Sequence, residues 1–298
     1  MGIEVRIIAD SVSPQGKRIT TFQLKYQRFF HSELMTHRML SRNASSSRAI
    51  PVSKMISQVW NDPAMPIHWG QNKAGMQANT ELSGFKLKLA KALWVATGRV
   101  ACIASWGMMK VGMHKQVTNR ILEPWQYIHV VVTATNWDNF FALRNHKDAQ
   151  PEFRALAALM EHEMDSNLPT ELAADEWHLP YMTTEEIELA KYMGSYSDLP
   201  KRSAARCARV SYNKHDGSEP SYDDDMELYN QLITRPFTDK RGNTYGDDSP
   251  IHASPVEHQA YPAANPYEVW GNFAGWVQLR KLIETNSYEG NVNEYPGY

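Results

Sequence analysis

Cysteine is almost missing from this chain: Cys102 and Cys207 are the only two among 298 residues. That excludes a disulfide framework and fits a reducing compartment. No CxxC pair, HExxH string or glycine-rich phosphate loop occurs, so neither a structural zinc site nor a P-loop is expected. Charge of one sign is also lacking, with 31 Lys plus Arg against 33 acids and a formal charge of -2. Without a bulk positive field a nucleic-acid partner is not expected, and any anion site must be a local cluster. Apolar runs are short, none approaching the ~18 residues of a membrane span. The opening MGIEVRIIADS carries acids and reads as neither signal peptide nor span. These absences point to a cytoplasmic protein with no membrane partner. What is present is a 42% hydrophobic chain able to bury a large core, long enough for one large domain or two small ones.

Residues 3–9 and 19–26 read as strands, the second alternating at Phe22, Leu24 and Tyr26. The Ser-Pro-Gln-Gly run at 13–16 supplies the turn between them. Residues 82–111 are helical in composition, with Gly84, Gly98 and Gly107 as candidate breaks. Residues 127–133 are β-branched and read as a buried strand. Helices are expected from about Asn136, through Phe153, Leu156, Leu159 and Met160, after Thr183 with Glu186, and after Ser221. Residues 236–266 are loop-rich and contain the string IHASPVEHQA at 251–260. The fold class is α+β: a mixed or antiparallel sheet flanked by helices.

The segment 37–48, HRMLSRNASSSR, packs three arginines and four serines with no acid. Forked guanidinium donors and hydroxyls suit a phosphate. If residues 45–48 run extended, Ser46 and Arg48 point the same way and Ser47 the opposite way. A solvated basic loop has the same composition. Arg144 alone reads as a surface helix arginine, and His252 and His258 as loop histidines. With Glu257 nearby but no third ligand suitably spaced, a metal pair there is weak.

The sequence resembles the flavin-dependent (complementing) thymidylate synthases, including phage-encoded members. Their motif is Arg-His-Arg, seven residues, Ser, and Arg two positions later; here stand Thr36-His37-Arg38, seven residues, Ser46 and Arg48. NRILEP at 119–124 and NWDNFFALRNHKDAQ at 136–150 resemble two further family segments. ARVSY (208–212) and HASPVEH (252–258) resemble segments that come first in the family but late here, so the motif order looks circularly permuted. Matched residue by residue, the resemblance makes Arg144 the catalytic arginine over the pyrimidine. It gives Ser46, Arg48, Arg120, Arg144 and Glu33 to substrate binding, and His37, Arg38, Asn139, Ser211, His252 and Ser254 to the cofactor. Asn139 and Arg144, five residues apart, would not share a helix face.

The resemblance implies conversion of dUMP to dTMP with FAD, and with NADPH and methylenetetrahydrofolate as co-substrates. It also implies a homotetramer whose active sites are shared between subunits. A permuted chain should bring Ser254 and His37 around one site and set Ala260 beside Thr20 or Thr21. The chain would then be a single catalytic domain over residues 1–298, with residues 1–18 and 261–298 as additions packed on the body. Thr36, Ala44, Glu33 and Asp148 depart from the family's usual arginine, glutamate, glutamine and histidine. Thiol-based synthesis needs an accessible thiolate, which neither cysteine's context suggests. Related outcomes are a dCMP or hydroxymethyl-forming enzyme, an inactive relative, or a nucleic-acid module using RNASSSR.

Overall fold

The structure is a computed structural model; it describes residues 2–75, 77–212 and 220–285, without the side chains of Ser211 and Tyr212. Its centre is a five-stranded sheet: β1 (Glu4–Val12), β2 (Arg18–Gln27), β3 (Ser41–Ala44), β4 (Tyr127–Ala134) and β5 (Thr170–Glu171). The strand order is β3-β4-β2-β1-β5, antiparallel except where β5 joins β1. β1, within the amino-terminal 18 residues, is thus an inner strand.

On one face Phe22, Leu24 and Tyr26 of β2 meet Ile128, Val130 and Val132 of β4 in the main core. Alternation made that face legible. At the start of β2 the opposite face is buried too: Ile19 and Thr21 have no exposed surface, because a second layer covers it there, whereas Gln23 and Lys25 farther along are half-buried.

Ten α-helices lie among the described residues: α1 (His31–Leu34), α2 (Val52–Asn61), α3 (Gly84–Lys110), α4 (Lys115–Thr118), α5 (Asp138–Arg144), α6 (Pro151–Ser166), α7 (Thr184–Met193), α8 (Leu199–Tyr212), α9 (Tyr222–Ile233) and α10 (Leu279–Glu284). α6 closes the main core through Phe153, Leu156, Ala157 and Met160, the spacing of one helical stripe. α7 starts on a capping box made by Thr183 and Glu186, and α9 on one made by Ser221 and Asp224.

α3 is the largest departure from the sequence reading. It runs unbroken for 27 residues, because Gly98 serves contact rather than interruption. A Cβ there would stand 3.0 Å from Trp125 Cδ1, so glycine lets the helix lie against that indole without displacing it. Cys102 and Leu122 pack beside it with Met55 and Val59 of α2. The rest of α3 faces outward, with Leu89, Leu93, Val100 and Ile103 between 46% and 65% exposed. By length and composition alone α3 could cross a membrane.

The carboxy-terminal third contributes short strands: β6 (Phe237–Thr238), β7 (Thr244–Tyr245), β8 (Ala260–Pro262), β9 (Val269–Trp270), β10 (Phe273–Ala274) and β11 (Trp276–Gln278). Ala260 shares a small core with Ile19, Phe273 and Trp276. His178 accounts for the contact: its backbone N–H donates to the Ala260 carbonyl at 2.7 Å, while its ring Nε2 lies 2.8 Å from Thr21 Oγ1. The end of the HASPVEHQA string therefore stands beside the start of β2, where a permuted chain needs it.

Candidate functional site

The turn after α1 carries Thr36, His37 and Arg38. Arg42, on edge strand β3, holds it in shape: Nη1 donates to the carbonyls of Leu34, Met35 and His37 at 3.2, 2.9 and 3.0 Å. Leu34 and Met35 lie at the end of α1, where carbonyls lack the i+4 donors of a continuing helix, so the guanidinium adds the bonds that the turn's own N–H groups leave unmade. Arg144, the last residue of α5, then reaches across 107 positions of sequence. Its Nε donates to His37 Nε2 at 2.7 Å and its Nη2 to Thr36 Oγ1 at 3.3 Å. Its guanidinium carbon sits 4.8 Å over the Phe153 ring.

Because His37 Nε2 accepts, the imidazole is neutral with its proton on Nδ1. Burial, then Arg144 and Arg42, pushes its pKa down to about 4. Glu33 stands close to Arg144; burial raises its carboxyl above the usual range, Arg144 opposing and Glu152 adding. Glu33, Thr36, His37 and Arg144 thus form one group.

A second group gathers Ser46, Arg48 and Arg120. Residues 46–49 form a turn, Ala49 N–H donating to the Ser46 carbonyl at 3.0 Å, rather than the extended run expected. The sidedness survives: Ser47 is buried, Ser46 half-buried and Arg48 exposed. Asn119 fastens this turn to Arg120's segment, its Nδ2 donating to the carbonyls of Ser47 and Ile50 at 2.7 and 2.9 Å. Between them lies Glu123, whose Oε1 accepts from Ser47 Oγ, Arg120 Nη1 and Arg28 Nη2. The sequence offered Arg28 and Arg42, with Lys25 and His146, only as neighbouring cations that could make up for Thr36, and nothing in it pointed to Glu123, because these roles arise from contacts between distant segments.

The remaining residues are dispersed. Ser254 Oγ lies 3.4 Å from Asn43 Oδ1, and Asn43 Nδ2 donates to the Cys207 carbonyl at 2.7 Å. Arg42 and Asn43 are neighbours on β3, so they point to opposite faces of one sheet edge. The His37 group and Ser254 therefore meet at that edge from two sides. Arg38, Asn139 and His252 are exposed, and the side chain of Ser211 lies outside the described residues. His258, read as a loop histidine, is instead fully buried, with Nδ1 2.8 Å from Thr133 Oγ1. Both cysteines are buried, and burial raises both thiols, so neither is a ready thiolate. Among the described residues no group of three or more His, Cys, Asp or Glu could hold a metal ion.

The sequence model of the family described as thymidylate synthase complementing protein matches residues 12–170. Among curated proteins none matches. A UMP/dUMP methylase, PolB, from Streptomyces cacaoi, solved with 5-Br UMP, is similar at 16% identity and a TM-score of 0.45 over 54% of this chain and 88% of that one. Thymidylate synthase X from Helicobacter pylori, solved with FAD and dUMP, is similar at 15% identity and a TM-score of 0.34, over 49% and 67% of the respective chains.

Proposed function

The chain belongs to the thymidylate synthase complementing protein family, and from that premise we propose that it converts dUMP to dTMP. The one-carbon unit would come from methylenetetrahydrofolate and the reducing equivalents from NADPH. The observation that carries this reading is the Arg144–His37 hydrogen bond, which joins two family-like segments 107 residues apart into one group.

In the reaction C5 of the pyrimidine loses a proton and gains a one-carbon unit, which a hydride reduces to methyl. Arg144 stabilises the negative charge that develops on the ring, its direction fixed by His37 and Thr36 before substrate arrives. Ser46, Arg48 and Arg120 hold the phosphate. Arg38, Asn139, His252 and Ser254 are exposed or half-exposed polar groups, a donor set that fits the diphosphate and amide edges of FAD. His37, whose Nδ1–H is left to donate, joins them, and Ser211 is assigned there by resemblance alone. When bound, reduced FAD supplies the hydride.

A site this open in one chain fits completion by other subunits, and the proposed assembly is a cytosolic homotetramer. The test is the absorbance of the purified protein: oxidised-flavin bands that bleach with NADPH, and dTMP formed on adding dUMP and methylenetetrahydrofolate. A colourless protein that fails to take up added FAD would sink the reading. Glu33 favours running dCMP alongside, since a carboxylate beside Arg144 can accept from an exocyclic amine; product mass separates the two bases and methyl from hydroxymethyl.

A further inference from the structure

Glu123 is the acid at the centre of the phosphate group. Its Oε1 takes Arg28 Nη2 at 3.0 Å, Arg120 Nη1 at 2.9 Å and Ser47 Oγ at 2.9 Å. The two cations differ in what they need from it. The Arg28 side chain is 15% exposed, and burial lowers its pKa while Glu123 opposes that shift. The Arg120 side chain is 52% exposed, so its ion pair is weak and readily exchanged. Lys115 adds a further cation at the same turn, its Nζ donating to the Ala49 carbonyl at 3.2 Å. Glu123 thus holds a buried arginine permanently and a half-exposed one provisionally, at the edge of a strongly cationic cluster.

We infer that Glu123 is a specificity-determining residue that limits how much negative charge the site accepts, favouring a nucleoside monophosphate over more highly charged phosphate esters. The inference rests on the phosphate role proposed for Ser46, Arg48 and Arg120. Coulomb energy scales with ligand charge. Arg28, Arg48, Arg120 and Lys115 alone would bind a triphosphate better than a monophosphate. A fixed carboxylate among them reduces that slope, because each added phosphate charge is also repelled. Ser47 and Arg28 keep Glu123 in place when an incoming phosphate draws Arg120 away. The charge therefore remains while the ligand is bound.

Calorimetry at fixed ionic strength with deoxyuridine, its 5′-monophosphate and its 5′-triphosphate tests this. Glu123→Gln keeps an acceptor for Ser47 and removes the charge. It should bind the monophosphate about 3- to 10-fold more tightly, the triphosphate by a larger factor, and deoxyuridine unchanged. Glu123→Asp keeps the charge and should leave the mono- to triphosphate ratio within about two-fold of the original. An unchanged ratio in Glu123→Gln, or a shifted one in Glu123→Asp, overturns the inference. Arg48→Ala separates the two readings. If it weakens nucleoside and nucleotide equally, the phosphate assignment itself falls. If its loss is confined to phosphorylated ligands while Glu123→Gln changes nothing, only the role of Glu123 falls.

Discussion

Arg144 and Arg48 are the same residue type in different company. Arg144 is fixed by His37, Thr36 and the face of Phe153, whereas Arg48 is exposed on its turn, its own N–H bonded to Ser46 Oγ at 3.3 Å. The fixed arginine suits charge that develops during reaction, and the open one suits a ligand that must come and go. Arg144→Ala should therefore lower kcat by ~10²–10³-fold with a smaller change in KM, as for loss of one preorganised donor. Arg144→Lys keeps the charge but not the fork and should recover only part of it. A variant that raises KM alone would move Arg144 to simple binding. Arg48→Ala should cost roughly 1.5–3 kcal/mol of nucleotide affinity, read by calorimetry, and leave nucleoside affinity nearly unchanged. The Arg-His-Arg-like motif made Arg48 findable, and the family-like segment at 136–150 did the same for Arg144. The turn-holding role of Arg42 and the whole of Glu123 were not findable, because an arginine that caps a turn and a glutamate that gathers cations carry no local spacing signal.

Among the elements, the strands were legible because alternation at Phe22, Leu24 and Tyr26 and the β-branched run of β4 report burial directly. The capping box at Thr183 likewise marked the start of α7. Two readings failed for tertiary reasons: Gly98 lies against Trp125 inside α3 rather than breaking it, and residues 46–49 turn instead of extending. α3 also has an outward stripe whose meaning only the fold reveals. Leu89, Leu93, Val100 and Ile103 recur at spacings of four, seven and three, with no acid anywhere in the helix. Along seven turns of helix, ~40 Å at 1.5 Å per residue, this stripe is left without cover among the described residues, and the proposed homotetramer would cover it. Leu93→Glu with Ile103→Glu should lower the mass seen by light scattering after size-exclusion chromatography. Melting of the separated chain should change little, since both side chains are more than half exposed. An unaltered mass would place the subunit contact elsewhere.

For the molecule as a whole, the second layer is fastened to the sheet by a buried hydrogen-bonded chain. Ser11 Oγ lies 2.9 Å from His178 Nδ1, His178 Nε2 2.8 Å from Thr21, Thr21 2.7 Å from Thr133, and Thr133 2.8 Å from His258 Nδ1. It crosses β1, β2 and β4 and ends in the segment preceding β8, so it ties the late family-like string to the early strands. Burial holds both imidazoles neutral, with each pKa lowered to about 3 from 6.5 and His178 adding to the effect on His258. His31 and His37, lowered to about 4, act in the same direction. Since the unfolded chain takes up protons near 6.5 and the folded one does not, this stability is full above pH 6.5. It is lost as pH falls toward 3, each unit of depression being worth ~1.4 kcal/mol. Melting temperature should therefore fall steadily between pH 6.5 and pH 4, before most carboxylates titrate. His178→Gln preserves hydrogen bonding without a titrating ring, so it should lower the melting temperature at pH 7 yet flatten its decline with acid. A variant whose decline matches the original would show that acid sensitivity arises elsewhere and that this buried chain is not what joins the two layers against protons.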